Sequence, residues 1–126
     1  MSGSVAVEAL QLSLKGDVAG ALALLRAARE NAPLDESALS LLFKLLQDVG
    51  VSDEVIAVCD EGLGNAQRPV AKSTWHLRRG LLHIEGRNRD GAVKDLMAVL
   101  KLKASADHTA QAQKALLAAA ALPKAH

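Results

Sequence analysis

Apolar residues recur every three or four positions along most of this chain, which is the spacing of an amphipathic α-helix. The stretch Trp75–Leu102, WHLRRGLLHIEGRNRDGAVKDLMAVLKL, shows the pattern best, because only Gly86, Arg87 and Asn88 separate its two helical runs. A connection this short makes two helices antiparallel neighbours. The stretch therefore predicts a complete helix-turn-helix hairpin.

The same plan recurs towards the N-terminus at a fixed period. Gly16 and Gly50 each precede a helical run, and they lie 34 residues apart. Ala21 and Val55 hold matching places in those runs and are separated by the same distance. A constant period of this length is typical of stacked helical repeats.

The pattern predicts an all-α fold, an α-solenoid of three hairpins followed by a capping helix. Gly62 and Gly64 are expected to end the fourth helix and to open the longest loop, at residues 64–69. An unpaired last helix is what a repeat array needs to cover its exposed end. The helices are expected at about residues 5–14, 18–31, 36–49, 52–63, 70–85, 90–103 and 107–122, and the repeats at about 2–35, 36–69 and 73–106.

The composition agrees with one helical domain and indicates the cellular compartment in which the protein is expected. Half of the residues are hydrophobic, yet the chain has one Phe, one Trp and no Tyr, so Leu, Ala and Val must build the core. The single cysteine, Cys59, cannot form an internal disulfide, and no signal-peptide pattern is present. No apolar run reaches the ~18 residues of a membrane helix. These features predict a soluble cytoplasmic protein with no membrane insertion.

The net charge of +1 conceals an asymmetry between the two halves of the chain. Residues 1–63 carry ten acidic and four basic side chains, whereas residues 64–126 carry four acidic and eleven basic ones. The halves therefore have net charges of −6 and +7. Such a division can steer partners or favour head-to-tail association, and it is equally compatible with an uneven solvated surface.

The third hairpin carries residues that resemble the tetratricopeptide repeat (TPR) family. Arg79-Gly80 matches the position where the family's two helices cross closely, His83 takes the place of its Tyr, and Ala92 and Leu96 match the second helix. The first two hairpins agree in register, with residues at the turn glycine and the small and large apolar positions. They are Gly16, Ala21, Leu25, Ala28 and Pro33 in the first and Gly50, Val55, Cys59, Gly62 and Leu63 in the second.

The resemblance implies a non-catalytic adaptor that binds a peptide or helix of another protein in a concave groove. In the family the first helix of each hairpin lines that groove. Placed on this chain, the groove residues are Leu10, Ser13, Ser40, Lys44, Gln47, Leu77, Leu81 and Ile84. A competing interpretation is that Leu77 and its neighbours are ordinary core. The family's carboxylate clamp for chaperone tails is not expected, because all three asparagines fall in loops or at helix ends.

A basic cluster follows the longest loop and is the other prominent feature. It comprises Arg68, Lys72, Arg78, Arg79, Arg87 and Arg89. Such a cluster suits an acidic protein partner better than nucleic acid, because Trp75 is the only aromatic available for stacking on bases. The acidic half of a second copy would also suit it. An alternative function is therefore structural self-assembly, in which acidic N-terminal and basic C-terminal halves join as a homo-oligomer.

Enzymatic, cofactor and metal chemistry are not expected. His76 and His83 lie two helical turns apart, ~10 Å along the axis, which is too far to share one metal ion. Both are interpreted as packed side chains. Cys59 falls at a core position, where a buried inert thiol is the normal outcome. The sequence also contains no glycine-rich phosphate loop and no serine nucleophile motif.

Overall fold

The computed structural model describes residues 4–124 and, within that range, contains seven α-helices and no strand. The all-α prediction is confirmed. Residues 2 and 3 of the predicted first repeat lie outside the described part. The helices are α1 (Val5–Leu14), α2 (Val18–Asn31), α3 (Glu36–Val49), α4 (Ser52–Asn65), α5 (Pro69–Glu85), α6 (Arg89–Leu102) and α7 (Ala106–Ala120).

Short polar side chains cap the N-termini of most of these helices. Asp17, Asp35 and Asn88 accept hydrogen bonds from backbone amides three residues on, at 2.8, 2.8 and 3.0 Å. Each bond satisfies an amide that the first helical turn leaves without a partner. Gly50 ends α3 with φ 81°, a left-handed conformation that glycine adopts without strain.

The chain divides into two compact units, with the boundary between Val58 and Cys59 inside α4. In the N-terminal unit α2 packs on α1 and α3, and α1 also contacts α3. Arg26 and Glu54 join α2 to α4 through two hydrogen bonds of 2.9 and 2.7 Å. The hydrogen bond from Arg26 lowers the pKa of Glu54, and burial opposes that shift.

The C-terminal unit repeats this plan. Helix α5 packs on α6 and also contacts α7, and α6 packs on α7. In both units, therefore, the first helix of a hairpin contacts its partner and also the helix after it, which is consistent with a helical repeat. The core of the unit is built from aliphatic side chains on these three helices: Leu77, Ala92, Leu96, Val99, Ala112, Ala115 and Ala119.

Gly80 lies where α5 and α6 pack closely against each other. A Cβ atom placed there would lie 2.9 Å from Cδ2 of the fully buried Leu96 and 3.3 Å from Cβ of Asp95, so a neighbour would have to shift. Gly80, whose place in the sequence resembles the position where the repeat family's helices cross, therefore lies at a tight crossing. Any larger side chain would push the two helices apart.

Helix α4 does not end where its glycines suggested. It continues to Asn65, so the predicted loop at 64–69 shrinks to residues 66–68. The reason is that Gly62 serves packing: a Cβ atom there would overlap the ring of Trp75, which is fully buried. The glycine was read as a helix terminator, whereas it makes room for the indole.

Candidate functional site

An open depression in the C-terminal unit lies between the last turns of α5 and the outer side of α7. Its volume is about 410 Å³, and its surface is mostly apolar. The lining residues are Leu81, Ile84, Gln111, Lys114, Ala115 and Ala118. Alanines on α7 leave the space open, Leu81 and Ile84 make one wall apolar, and Lys114 contributes the only charge among the lining residues.

The three apolar residues predicted for the groove on α5 separate in the structure. Leu77 is only 6% exposed and packs in the core with α6 and α7. Leu81, one turn later, is 41% exposed, and Ile84 is half-buried at the depression. Leu77 therefore belongs to the core, as the competing interpretation held, while Leu81 and Ile84 remain accessible. The helix turns by about 40° between residues four apart, which is enough to carry the stripe from core to surface.

The groove residues predicted in the N-terminal unit lie on α1 and α3. Leu10, Lys44 and Gln47 are exposed, whereas Ser13 and Ser40 are half-buried. On α3 the polar residues Ser40, Lys44 and Gln47 alternate with the buried side chains of Leu42, Leu45 and Leu46. These positions give the unit an accessible face of mixed polarity.

Helix α1 also exposes an apolar stripe that the sequence pattern did not single out. Val7, Leu10 and Leu14 lie at positions i, i+3 and i+7 and are all exposed, Leu14 by 77%. We call these three residues the α1 stripe. Ala9 is the one fully buried side chain of the helix, and Val5, Ala6, Leu12 and Ser13 are half-buried.

The predicted basic cluster does not form a single patch. Arg68 and Lys72 lie at the start of α5, whereas Arg87 and Arg89 follow its end. Since α5 has 17 residues, these two pairs are separated by ~25 Å along the helix axis. The two pairs are close in the sequence, but helix α5 lies between them and places them at its opposite ends.

The other two members of the basic cluster have structural contacts inside the C-terminal unit. The guanidinium carbon of Arg78 lies 4.6 Å from the centroid of the Trp75 ring, a cation–π arrangement. Arg79 turns towards Asp95 and Asp60 and forms ion pairs with both. Neither side chain is therefore spread out as part of an open cationic surface.

Asp95 is the centre of a buried polar network that connects α4, α5 and α6. Its side chain is 3% exposed and accepts hydrogen bonds from Nε and Nη2 of Arg79, at 2.8 and 2.6 Å. His76 Nδ1 lies 2.9 Å from Oδ1 and donates to it, because an ionised carboxylate only accepts. Arg79 also donates from Nη1 to Asp60, at 2.8 Å.

His83 completes the surroundings of Asp95 without bonding to it. Its Nε2 atom is 3.6 Å from Oδ2 of Asp95, which is too long for a hydrogen bond, and its Nδ1 atom accepts from Asn88 at 3.3 Å. His76 and His83 therefore approach one carboxylate from successive turns of α5. Both histidines are packed side chains, as the sequence predicted, and the anion that they share is the carboxylate of Asp95.

The electrostatics of this network favour the charged forms of Asp95 and Arg79. Burial raises the pKa of Asp95, but hydrogen bonds from Arg79 and His76 lower it by more, so the carboxyl stays ionised. The hydrogen bond to Asp95 likewise raises the pKa of Arg79. Within residues 4–124 every buried side-chain nitrogen and oxygen has a hydrogen-bond partner. The network is therefore a fully hydrogen-bonded structural element.

Ser73 and His108 form a second polar contact, which the sequence gave no reason to expect. Ser73 is fully buried in α5, and its Oγ atom is hydrogen-bonded to Nδ1 of His108 at 2.9 Å. The backbone amide of His108 donates to the helix-capping hydroxyl of Ser105 at 3.2 Å. Only the pairing of α5 with α7 brings these residues together, so spacing along the chain carries no signal for it.

Cys59 is fully buried in α4, and burial raises the pKa of its thiol to about 12. Nearby Arg78 and Arg79 oppose that shift but do not cancel it. Since the thiolate is the nucleophile, the native side chain is chemically inert at neutral pH.

Alkylation of Cys59 is therefore expected to require unfolding. At pH 8 the reaction with iodoacetamide should be slower in the folded protein than in denaturant by about three orders of magnitude, from loss of the thiolate alone. Mass spectrometry over time measures both rates. Native labelling within tenfold of the denatured rate would show that the thiol is accessible and ionisable.

Within residues 4–124 no cluster of three or more His, Cys, Asp or Glu side chains could hold a metal ion. No helix in this range is long and apolar enough to cross a membrane. The chain matches no protein-family model, no curated protein and no solved structure. The accessible surfaces of the two units are thus the remaining guides to function.

Proposed function

We propose that this protein is a non-catalytic interaction module, a TPR-like α-solenoid that binds a peptide or helix of another protein. The observation that carries the proposal is the apolar depression between α5 and α7. Leu81 exposes 41% of its surface there, beside Ile84 and the open space above Ala115 and Ala118. Concave apolar sites with a few polar groups at the edge are typical binding sites.

The TPR assignment is supported by the order of the helices and by the tight crossing at Gly80. A first helix that contacts both its hairpin partner and the next first helix is the arrangement such repeats use. Helix α7 then takes the place of a further first helix, so the depression lies on the face where that family receives its ligands. Lys114 at its edge favours a ligand with an acidic group beside its apolar side chains.

The proposal predicts that Leu81→Asp abolishes ligand capture without unfolding the protein. The carboxylate would have to lose its hydration in an apolar contact, which should reduce affinity by at least about tenfold. A displayed library of random peptides can be selected on the wild-type protein, and the enriched peptides then measured against the variant. Circular dichroism checks that helical content is unchanged.

Met97→Asp is the matched control. Met97 lies on α6, is 42% exposed and does not line the depression, so the substitution has the same chemistry and the same exposure at a different place. It should leave capture unchanged. Equal binding to wild type and to both variants, or no enrichment on the wild type, would contradict the proposed function.

A further inference from the structure

Two of the exposed apolar surfaces on the described residues belong to different units. One is the α1 stripe of the N-terminal unit, formed by Val7, Leu10 and Leu14. The other is the α5–α7 depression of the C-terminal unit, walled by Leu81 and Ile84. One surface is convex, because it is the outside of a single helix, and the other is concave. Apolar patches of this kind are usually covered by a partner.

The two units that carry these surfaces have net charges of opposite sign, since residues 1–58 carry eight acidic and four basic side chains and residues 59–126 carry six acidic and eleven basic ones. Lys114 is the only charged residue that lines the depression. Opposite charge favours the encounter of these two surfaces over contacts between like ones.

We infer that the depression receives the α1 stripe of a second copy of this chain. This inference rests on the proposed function, because it names the partner of the same site. The stripe runs from Val7 to Leu14, ~10 Å along the helix axis. A depression of about 410 Å³ has room for a few side chains but not for a helix, so α1 lies across the opening and its leucines enter.

The contact joins unlike surfaces, so it does not close on itself by a two-fold axis. Each copy that offers its α1 stripe keeps a free depression, and each that offers its depression keeps a free stripe. Association therefore continues head to tail, into a ring if the rotation closes and into an open chain if it does not. The mass of the assembly should rise with protein concentration and should fall with salt, as exposed charges are screened.

Complementary variants test this arrangement directly. Leu10→Asp removes the stripe but keeps the depression, and Leu81→Asp removes the depression but keeps the stripe. Each variant alone should be a monomer by sedimentation velocity, while an equimolar mixture should form a 1:1 pair that grows no further. Met97→Asp should assemble like the wild type, and circular dichroism should show the same helical content in all four proteins.

Charge reversal gives a second test that removes no apolar side chain. Lys114→Glu should weaken the association about two- to fivefold, because it places a negative charge at the depression where the acidic N-terminal unit of another copy docks. A wild-type protein that stays monomeric at all concentrations would overturn the inference. So would assembly that persists in both aspartate variants, or a mixture of them that stays monomeric.

The outcome for the proposed function can be read separately. If the protein remains monomeric but captures peptides in a Leu81-dependent way, the second copy is not the partner and the binding site stands. If it neither assembles nor captures peptides, the inference and the proposed function both fail. Assembly that needs both Leu10 and Leu81 supports the two together.

Discussion

Replacing Asp95 with asparagine is expected to lower the free energy of unfolding by about 3 kcal/mol, the range seen when one partner of a buried ion pair is removed. The substitution keeps the shape of the side chain but takes away the charge that Arg79 and His76 contact. The guanidinium of Arg79, 22% exposed, would then remain largely desolvated with only Asp60 beside it. Urea unfolding followed by circular dichroism measures the change.

Asp60→Asn is the matched control for this prediction. Asp60 bonds the same guanidinium at 2.8 Å, but its side chain is 58% exposed, whereas that of Asp95 is 3% exposed. An exposed ion pair contributes only about 0–1 kcal/mol. Equal losses from the two substitutions would show that burial does not set the strength of this network.

The same network makes stability depend on pH in a defined direction. The pKa of Asp95 is lower in the folded protein than in the unfolded chain, because the bonds from Arg79 and His76 outweigh the effect of burial. Its contribution is therefore fully present above the unfolded pKa, near pH 4, and is lost as the pH falls towards the folded value. Asp95→Asn should flatten this acid limb of the stability curve, and an unchanged acid limb would contradict the assignment.

Gly62→Ala is expected to destabilise the protein by about 2 kcal/mol, as overpacking of a close-packed core usually does. An added methyl group would overlap the Trp75 indole, and Trp75 is fully buried, so the ring has no free space to move into. The gain in helix propensity of about 1 kcal/mol offsets part of the cost. Thermal unfolding measures the result.

Gly64→Ala provides the control within the same helix. A Cβ atom at Gly64 meets nothing within 4 Å, so only the propensity gain remains and stability should stay level or rise slightly. If both variants shifted stability equally, the contact between Gly62 and Trp75 would not be the reason for the glycine. Opposite signs would confirm that packing selects glycine at position 62.

Much of the fold could be predicted because helix boundaries are local. Asp17, Asp35 and Asn88 are residue types that favour the position before a helical run, and each bonds the amide that a cap satisfies. Gly62 was predicted both to end α4 and to occupy a small packing position, and only the packing role holds, because it depends on a residue thirteen positions away in another helix. The sequence of α4 alone does not distinguish a terminating glycine from one that accommodates an indole.

The candidate site was predictable only in part, for related reasons. The stripe on α5 was recognised, but the division between buried Leu77 and exposed Leu81 depends on how α7 packs against the helix. The depression itself needs Lys114, Ala115 and Ala118 from that same α7. The acceptor for Arg79 lies sixteen residues away in α6, so a residue that looked like part of a cationic surface is held by Asp95.

Amide chemical-shift mapping with a selected peptide, or with added unlabelled protein where self-association is the mode, tests the binding site most directly. We predict that the perturbed amides cluster at the end of α5 and on the outer side of α7, around Leu81, Ile84, Lys114 and Ala118. They should be lost in Leu81→Asp and kept in Met97→Asp. Perturbations confined to α3, or to the separated pairs Arg68 with Lys72 and Arg87 with Arg89, would contradict the proposed site if the amide shifts of Leu81 and Lys114 did not change.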